Sequence, residues 1–120
     1  MKNGAKVDVP DGDGRLPIHY ACEHGLLSIV ELLVSNGSKV DVPDKNNQLP
    51  MHYACKNCGE GKYIILFLQK NCASLNVTDK DGRLPIHYAC EHGGLDVVEL
   101  LLTNGAKIDV PDGNARLPIH

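Results

Sequence analysis

Apolar side chains recur along this chain in short helical bursts. Ile18, Ala21 and Cys22 stand at i, i+3 and i+4, and Leu26, Ile29, Val30 and Leu33 stand at i, i+3, i+4 and i+7. The first set predicts a short helix over residues 17–24 with one buried face. The second predicts a helix over residues 27–35 that presents one stripe to its neighbours. Pro17 suits the first turn of the first helix, where φ is already fixed and the missing N–H is not needed. Gly25 stops that helix and Asn36-Gly37 ends the second. Lys39-Val40-Asp41-Val42-Pro43-Asp44 then reads as extended chain, and Asp44-Lys45-Asn46-Asn47 as a turn back toward the next helix.

The same pattern returns along the whole sequence. Leu-Pro-Ile-His stands at 16–19, 84–87 and 117–120, with the variant Leu49-Pro50-Met51-His52 between, so the histidines at 19, 52, 87 and 120 are spaced by 33, 35 and 33 residues. A fixed period of this length marks stacked supersecondary units, and a solenoid offers an extended surface in place of a central pocket. The expected division is a partial unit over 1–13, units over 14–46, 47–81 and 82–114, and a partial unit over 115–120. Gly14, Asn47 and Gly82 are equivalent, and glycine and asparagine there point to a left-handed turn residue; Ala115 is the fourth equivalent and breaks the rule. The unit 47–81 carries two extra residues among Cys58-Gly59-Glu60-Gly61. Its second helix has Leu66 where Glu31 and Glu99 stand and Lys62 where Leu27 and Leu95 stand, so a local rotation of that helix is expected.

Composition narrows the function classes. Hydrophobic residues make up 42% of the chain but aromatic ones only 4%, with no tryptophan, which suits thin layers packed from aliphatic side chains. A net charge of -3 lacks the basic footprint of a nucleic-acid binder. No apolar stretch is long enough to span a bilayer. Of five cysteines, Cys22, Cys55 and Cys90 occupy equivalent places. Units stacked about 10 Å apart would hold their Cα atoms beyond the ~7 Å reach of a disulfide. The thiols are therefore expected to be reduced and the protein intracellular, cytoplasmic or nuclear.

Leu84-Pro85-Ile86-His87-Tyr88-Ala89-Cys90-Glu91-His92-Gly93 and Val97-Val98-Glu99-Leu100-Leu101-Leu102-Thr103-Asn104-Gly105-Ala106-Lys107-Ile108-Asp109 resemble the two halves of an ankyrin repeat. The resemblance covers essentially the whole chain. It implies an all-α solenoid of stacked helix-turn-helix units with hairpin-like finger loops. Two departures stand out. Leu16, Leu49, Leu84 and Leu117 replace the threonine that caps the first helix in the family, and a lost hydroxyl cap costs about 1 kcal/mol. Asp8, Asp41 and Asp109 stand where the family often has asparagine, which only Asn76 keeps.

Other constellations have plainer readings. His19, Cys22 and His24, their copies His87, Cys90 and His92, and His52, Cys55 and Cys58 have ligand-like spacing, yet structural zinc sites want four convergent ligands. The resemblance gives His19, His52 and His87 a hydrogen-bonding role between units, and Cys22, Cys55 and Cys90 fill a position needing a small buried side chain. Cys55-x-x-Cys58 lacks the βαβ setting of a redox pair. Asp11-Gly12-Asp13-Gly14 and Asp79-Lys80-Asp81-Gly82 lack the distal glutamate of a calcium loop and read as finger turns. No nucleophile-base set and no phosphate-cradling loop is present, so no catalytic residue, metal or cofactor is assigned.

The resemblance implies a scaffold that binds another protein on the concave face of its fingers and first helices. The residues it assigns to recognition are Gly12, Asp13 and Arg15; Lys45, Asn46 and Gln48; and Lys80, Asp81 and Arg83. Glu23 and His24, Lys56 and Asn57, and Glu91 and His92 join them from the short helices. No nucleic acid, membrane or small-molecule substrate is expected. The alternative is a structural spacer within a larger enzyme or channel. Neither end shows a polar capping unit, so end faces bearing Ile18 and Leu100 or Leu101 are expected to favour marginal stability or self-association. Leu68 and Leu75 before Asn76 match the spacing of an ankyrin-type asparagine-hydroxylation site.

Overall fold

The computed structural model describes residues 9–57, 59–92 and 94–106. They form six helices and no strand: α1 Pro17–Glu23, α2 Leu27–Ser35, α3 Pro50–Cys55, α4 Gly61–Lys70, α5 Pro85–Glu91 and α6 Leu95–Thr103. Each short helix packs on the longer one that follows it. The short helices α1, α3 and α5 stack as an inner row, and α2, α4 and α6 as an outer row. The inner row is the more closely packed, and the body is elongated, 47 Å by 26 Å by 21 Å.

The buried positions repeat with the period. Ile18, Met51 and Ile86 fill the inner helices, Cys22 and Cys55 lie beside them, and Leu33, Leu68 and Leu101 anchor the outer ones. All belong to one continuous apolar cluster. A thin layer gains by stacking because each unit leaves one flank uncovered; burying a leucine or isoleucine side chain contributes about 1.5–3 kcal/mol.

Two expectations are corrected here. Ile18 is not on an end face: it is fully buried, as is Leu101, and Tyr20, Leu26, Ile29 and Leu32 are the large apolar residues exposed at the first unit. The pattern places Ile18 on the core side of α1 because its equivalents Met51 and Ile86 point the same way. Nor does α4 rotate. Leu66 is exposed, as are Glu31 and Glu99, while Ile65 and Leu68 are buried like Val30 and Leu33. The turn before α4 absorbs the two extra residues, so the helix keeps its face.

Each outer helix ends alike. The N–H of Ser38 reaches back to Leu33 O at 3.0 Å, that of Ala73 to Leu68 O at 3.0 Å and that of Ala106 to Leu101 O at 2.9 Å. This closure needs a left-handed residue just past the helix. Gly37 and Gly105 supply it with φ of 101° and 97°, but the middle unit has Cys72 at φ 72°. A side chain in that region costs about 1–2 kcal/mol, partly offset because glycine loses more freedom on folding. Cys72→Gly is expected to raise stability by about 0.5–1 kcal/mol, seen as a higher urea midpoint at unchanged slope; an unchanged or lower midpoint would contradict this account.

Candidate functional site

Each finger is built by one aspartate. Asp11 Oδ1 accepts the N–H groups of Asp13 and Arg15, both at 2.9 Å. Asp44 does the same for Asn46 and Gln48 at 2.8 and 2.9 Å, and Asp79 for Asp81 and Arg83 at 2.9 Å each. Gly14, Asn47 and Gly82 close these turns with φ of 72°, 57° and 74°, as the sequence pattern predicts. Neighbouring fingers are also joined, Lys45 N–H to Asp13 O at 3.0 Å and Lys80 N–H to Asn46 O at 2.8 Å.

The other carboxylate oxygen of each aspartate accepts the hydroxyl of a tyrosine on the inner helix: Tyr20 to Asp11, Tyr53 to Asp44 and Tyr88 to Asp79. For the buried pairs Tyr53–Asp44 and Tyr88–Asp79, a hydrogen bond to a charged group contributes about 1.5–3 kcal/mol. Tyr20, then the Arg15 and Asp13 N–H groups, hold the Asp11 pKa down at about 2. Burial pushes Asp79 up, but Tyr88 and the Arg83 and Asp81 N–H groups outweigh it and its pKa falls below the usual range. Composition and motif reading miss these pairs. The signal was a constant nine-residue spacing from aspartate to tyrosine in all three units.

The N-cap leucines offer no side-chain acceptor, and each helix start is closed instead by the histidine three residues on. Leu16, Leu49 and Leu84 sit at the N-cap in extended conformation. Their N–H groups donate to the Nδ1 atoms of His19, His52 and His87 at 2.9, 3.0 and 2.8 Å, while each histidine N–H donates back to the leucine carbonyl at 3.0 Å. With Nδ1 accepting, the proton sits on Nε2. That N–H donates onward, from His19 to Val42 O at 2.7 Å and from His52 to Arg83 O at 3.1 Å. His87 Nε2 has no partner among the described residues. Both nitrogens of His19 and His52 are thus taken by backbone groups. Burial raises the pKa of Cys22, Cys55 and Cys90, marking them as packed thiols.

The residues assigned to recognition fall into two groups. Gly12, Asp13, Lys45, Asn46, Lys80 and Asp81 lie exposed at the finger tips, and His24, Glu91 and His92 at the ends of inner helices, with Glu23 half-buried. The remainder also tie the structure together. Arg15 lies over the Tyr20 ring at 4.7 Å and pairs with Asp11 and Asp13 at 3.3 Å each. Arg83 lies over Tyr88 at 5.4 Å and reaches Glu91 at 3.5 Å. Gln48 donates to the Tyr88 hydroxyl at 3.0 Å and to Asp79 at 3.4 Å, and accepts from Lys56 Nζ at 2.9 Å. Asn57 donates to Glu23 O at 3.2 Å in the preceding unit and accepts the Gly59 and Glu60 N–H groups at 3.0 Å each, which orders the inserted turn.

A family model for ankyrin repeats (three copies) matches residues 1–79 and 18–112. The chain belongs to the ankyrin repeat family. Ankyrin repeats are generally protein–protein interaction modules. A search of curated proteins returns no match. Within this ankyrin array, Asn76 is exposed and donates to Gly105 O at 3.3 Å, while Leu68 is fully buried. Ala115, Asp8, Asp109, Leu117 and Cys58 lie outside the described residues. Among the described residues no helix is long and apolar enough to cross a membrane.

The histidine bridges make stability depend on pH. Burial lowers the pKa of His19 and His52 below 6.5, so they stay neutral in the fold while the unfolded chain takes up protons. Their contribution is complete above pH 6.5 and is lost as pH falls toward their folded pKa values, by at most about 1.4 kcal/mol per pH unit for each. Asp11 and Asp79, whose pKa values are lowered, act in a separate and more acidic window. Urea unfolding from pH 7.5 to 5 is expected to show the first loss; a flat profile would contradict the neutral bridges. His52→Ala leaves a buried donor and acceptor unpaired. It should cost about 2–4 kcal/mol at pH 7.5 and reduce the pH slope; a loss below about 1 kcal/mol would refute the bridging role.

Proposed function

We propose that this ankyrin array binds another protein on the concave face formed by its fingers and inner helices. The observation that carries the reading is a division of labour within the fingers. Their backbones are bonded to one another and through tyrosine to the helices, while the side chains of Lys45, Asn46, Lys80 and Asp81 make no bond among the described residues. Ordered backbone beneath unengaged polar side chains lowers the ordering cost of association. Gly12 and Asp13 at the first finger, and Glu23, His24, Glu91 and His92 at the helix ends, extend the same face. Arg15, Lys56 and Arg83 serve it as side chains that both pack and present charge, and Gln48 and Asn57 as neutral polar side chains that tie units together. The unpaired buried thiols support a reducing intracellular setting. Hydroxylation at Asn76 would require the third unit to open locally, since its side chain is tied to Gly105 and Leu68 is buried.

Changing Arg15, Gln48 and Arg83 together would disturb the tyrosine layer as well as the surface. Lys45→Glu with Lys80→Glu is the cleaner test, because only the backbone of each is engaged. The double variant is expected to keep its melting temperature and lose at least about tenfold in affinity for a captured partner. Retained affinity would refute the concave-face reading and favour the spacer alternative or the outer helices.

A further inference from the structure

The middle unit differs from its neighbours at two linked positions on the inner face. Position 15 and its equivalents read Arg15, Gln48 and Arg83; position 23 and its equivalents read Glu23, Lys56 and Glu91. From finger turn to inner-helix end, the first unit carries Asp11, Asp13, Arg15 and Glu23, the middle one Asp44, Lys45 and Lys56, and the third Asp79, Lys80, Asp81, Arg83 and Glu91. The middle unit therefore has a surplus of positive charge, and both flanking units a surplus of negative charge.

Lys56 is the centre of that pattern. Its Nζ lies 4.5 Å from the centroid of the Tyr53 ring and 4.9 Å from that of Tyr88, half-buried in the slot between two units. Among the described residues its side chain donates one hydrogen bond, to the neutral Gln48 Oε1 at 2.9 Å. Of the nearby carboxylates, Asp44 and Asp79 are engaged by tyrosine hydroxyls and finger N–H groups, Glu91 reaches Arg83 with half its side chain exposed, and Glu23 acts on Lys56 from beyond ion-pair distance. Among the described residues none forms an ion pair with Lys56.

Taking the concave-face reading as its base, we infer that the groove along the inner helices takes an extended peptide segment with an acidic residue at its centre and basic residues three positions to either side. The spacing follows from geometry. Packed helices stand about 8–10 Å apart, and a segment in the polyproline II conformation advances about 3.1 Å per residue with three residues per turn, so three residues span one unit and side chains three apart share one face. The central carboxylate meets Lys56, and the basic residues meet Glu23 and Glu91. The pattern reads the same in either chain direction, so charge alone does not set polarity.

The test pans a random twelve-residue peptide library on the 120-residue chain and titrates two labelled synthetic peptides, Arg-Gly-Ser-Glu-Gly-Ser-Arg and Glu-Gly-Ser-Arg-Gly-Ser-Glu, by fluorescence anisotropy at low salt. The first is expected to bind about tenfold tighter than the second, with the gap closing at high salt. The double change Gln48→Arg with Lys56→Glu gives the middle unit the residue pair of its neighbours, so folding is expected to hold, checked by circular dichroism; it should reverse the preference. Lys56→Gln, a smaller change, should abolish it. Equal binding of the two peptides, or an unchanged preference in either folded variant, overturns the inference. Enriched peptides that lack the pattern but are lost on Lys45→Glu with Lys80→Glu overturn it while leaving the concave-face reading intact. Peptides indifferent to every one of these changes overturn both.

Discussion

A buried imidazole that faces two ways holds this chain together. Toward its own helix it accepts the N–H of the N-cap leucine, the returning half of a capping box, and toward the next unit it donates to a carbonyl. The leucine N–H is buried and the accepting carbonyl of the next unit is part-buried; an unmade bond at the buried N–H would cost about 1–3 kcal/mol. The ring satisfies them only when neutral and only when the neighbouring unit is in place. Helix initiation in one unit is therefore coupled to docking of the next, which gives a row of weak modules their cooperativity.

The tyrosine layer does for the fingers what the histidine does for the helices. Tyr53 packs edge-on against His19 with ring centroids 5.2 Å apart, and Tyr88 against His52 at 5.7 Å. Each tyrosine then delivers its hydroxyl to a finger aspartate already holding two backbone N–H groups. Finger, inner helix and preceding unit meet at one point. Polar side chains at the finger tips inherit a fixed geometry without being part of the packing.

Much of this was legible because local rules act within a few residues. Pro17 with Ile18, Ala21 and Cys22 marks an inner helix, and Gly14, Asn47 and Gly82 mark the left-handed finger residue. What escaped reading required contact across units or across a turn. The leucine cap looked uncompensated because its partner is a ring three residues on, whose own register depends on the helix being formed. Gln48 and Asn57 looked like surface residues because linear spacing does not reveal that they reach Tyr88 and Glu23 O in adjacent units. The exchanged residues of α4 suggested rotation because a single helix shows its pattern but not the neighbours that fix its face.

The three inner-helix tyrosines have an optical consequence. The chain has four tyrosines and no tryptophan. Tyr20, Tyr53 and Tyr88 are hydrogen-bonded to carboxylates beneath the concave surface, and Tyr63 alone sits on an outer helix. Near-ultraviolet tyrosine absorption by this protein therefore originates mainly where a ligand would lie. Any molecule settling over the groove alters the polarity and proton sharing around most of its chromophores, so occupancy carries its own unlabelled spectroscopic readout.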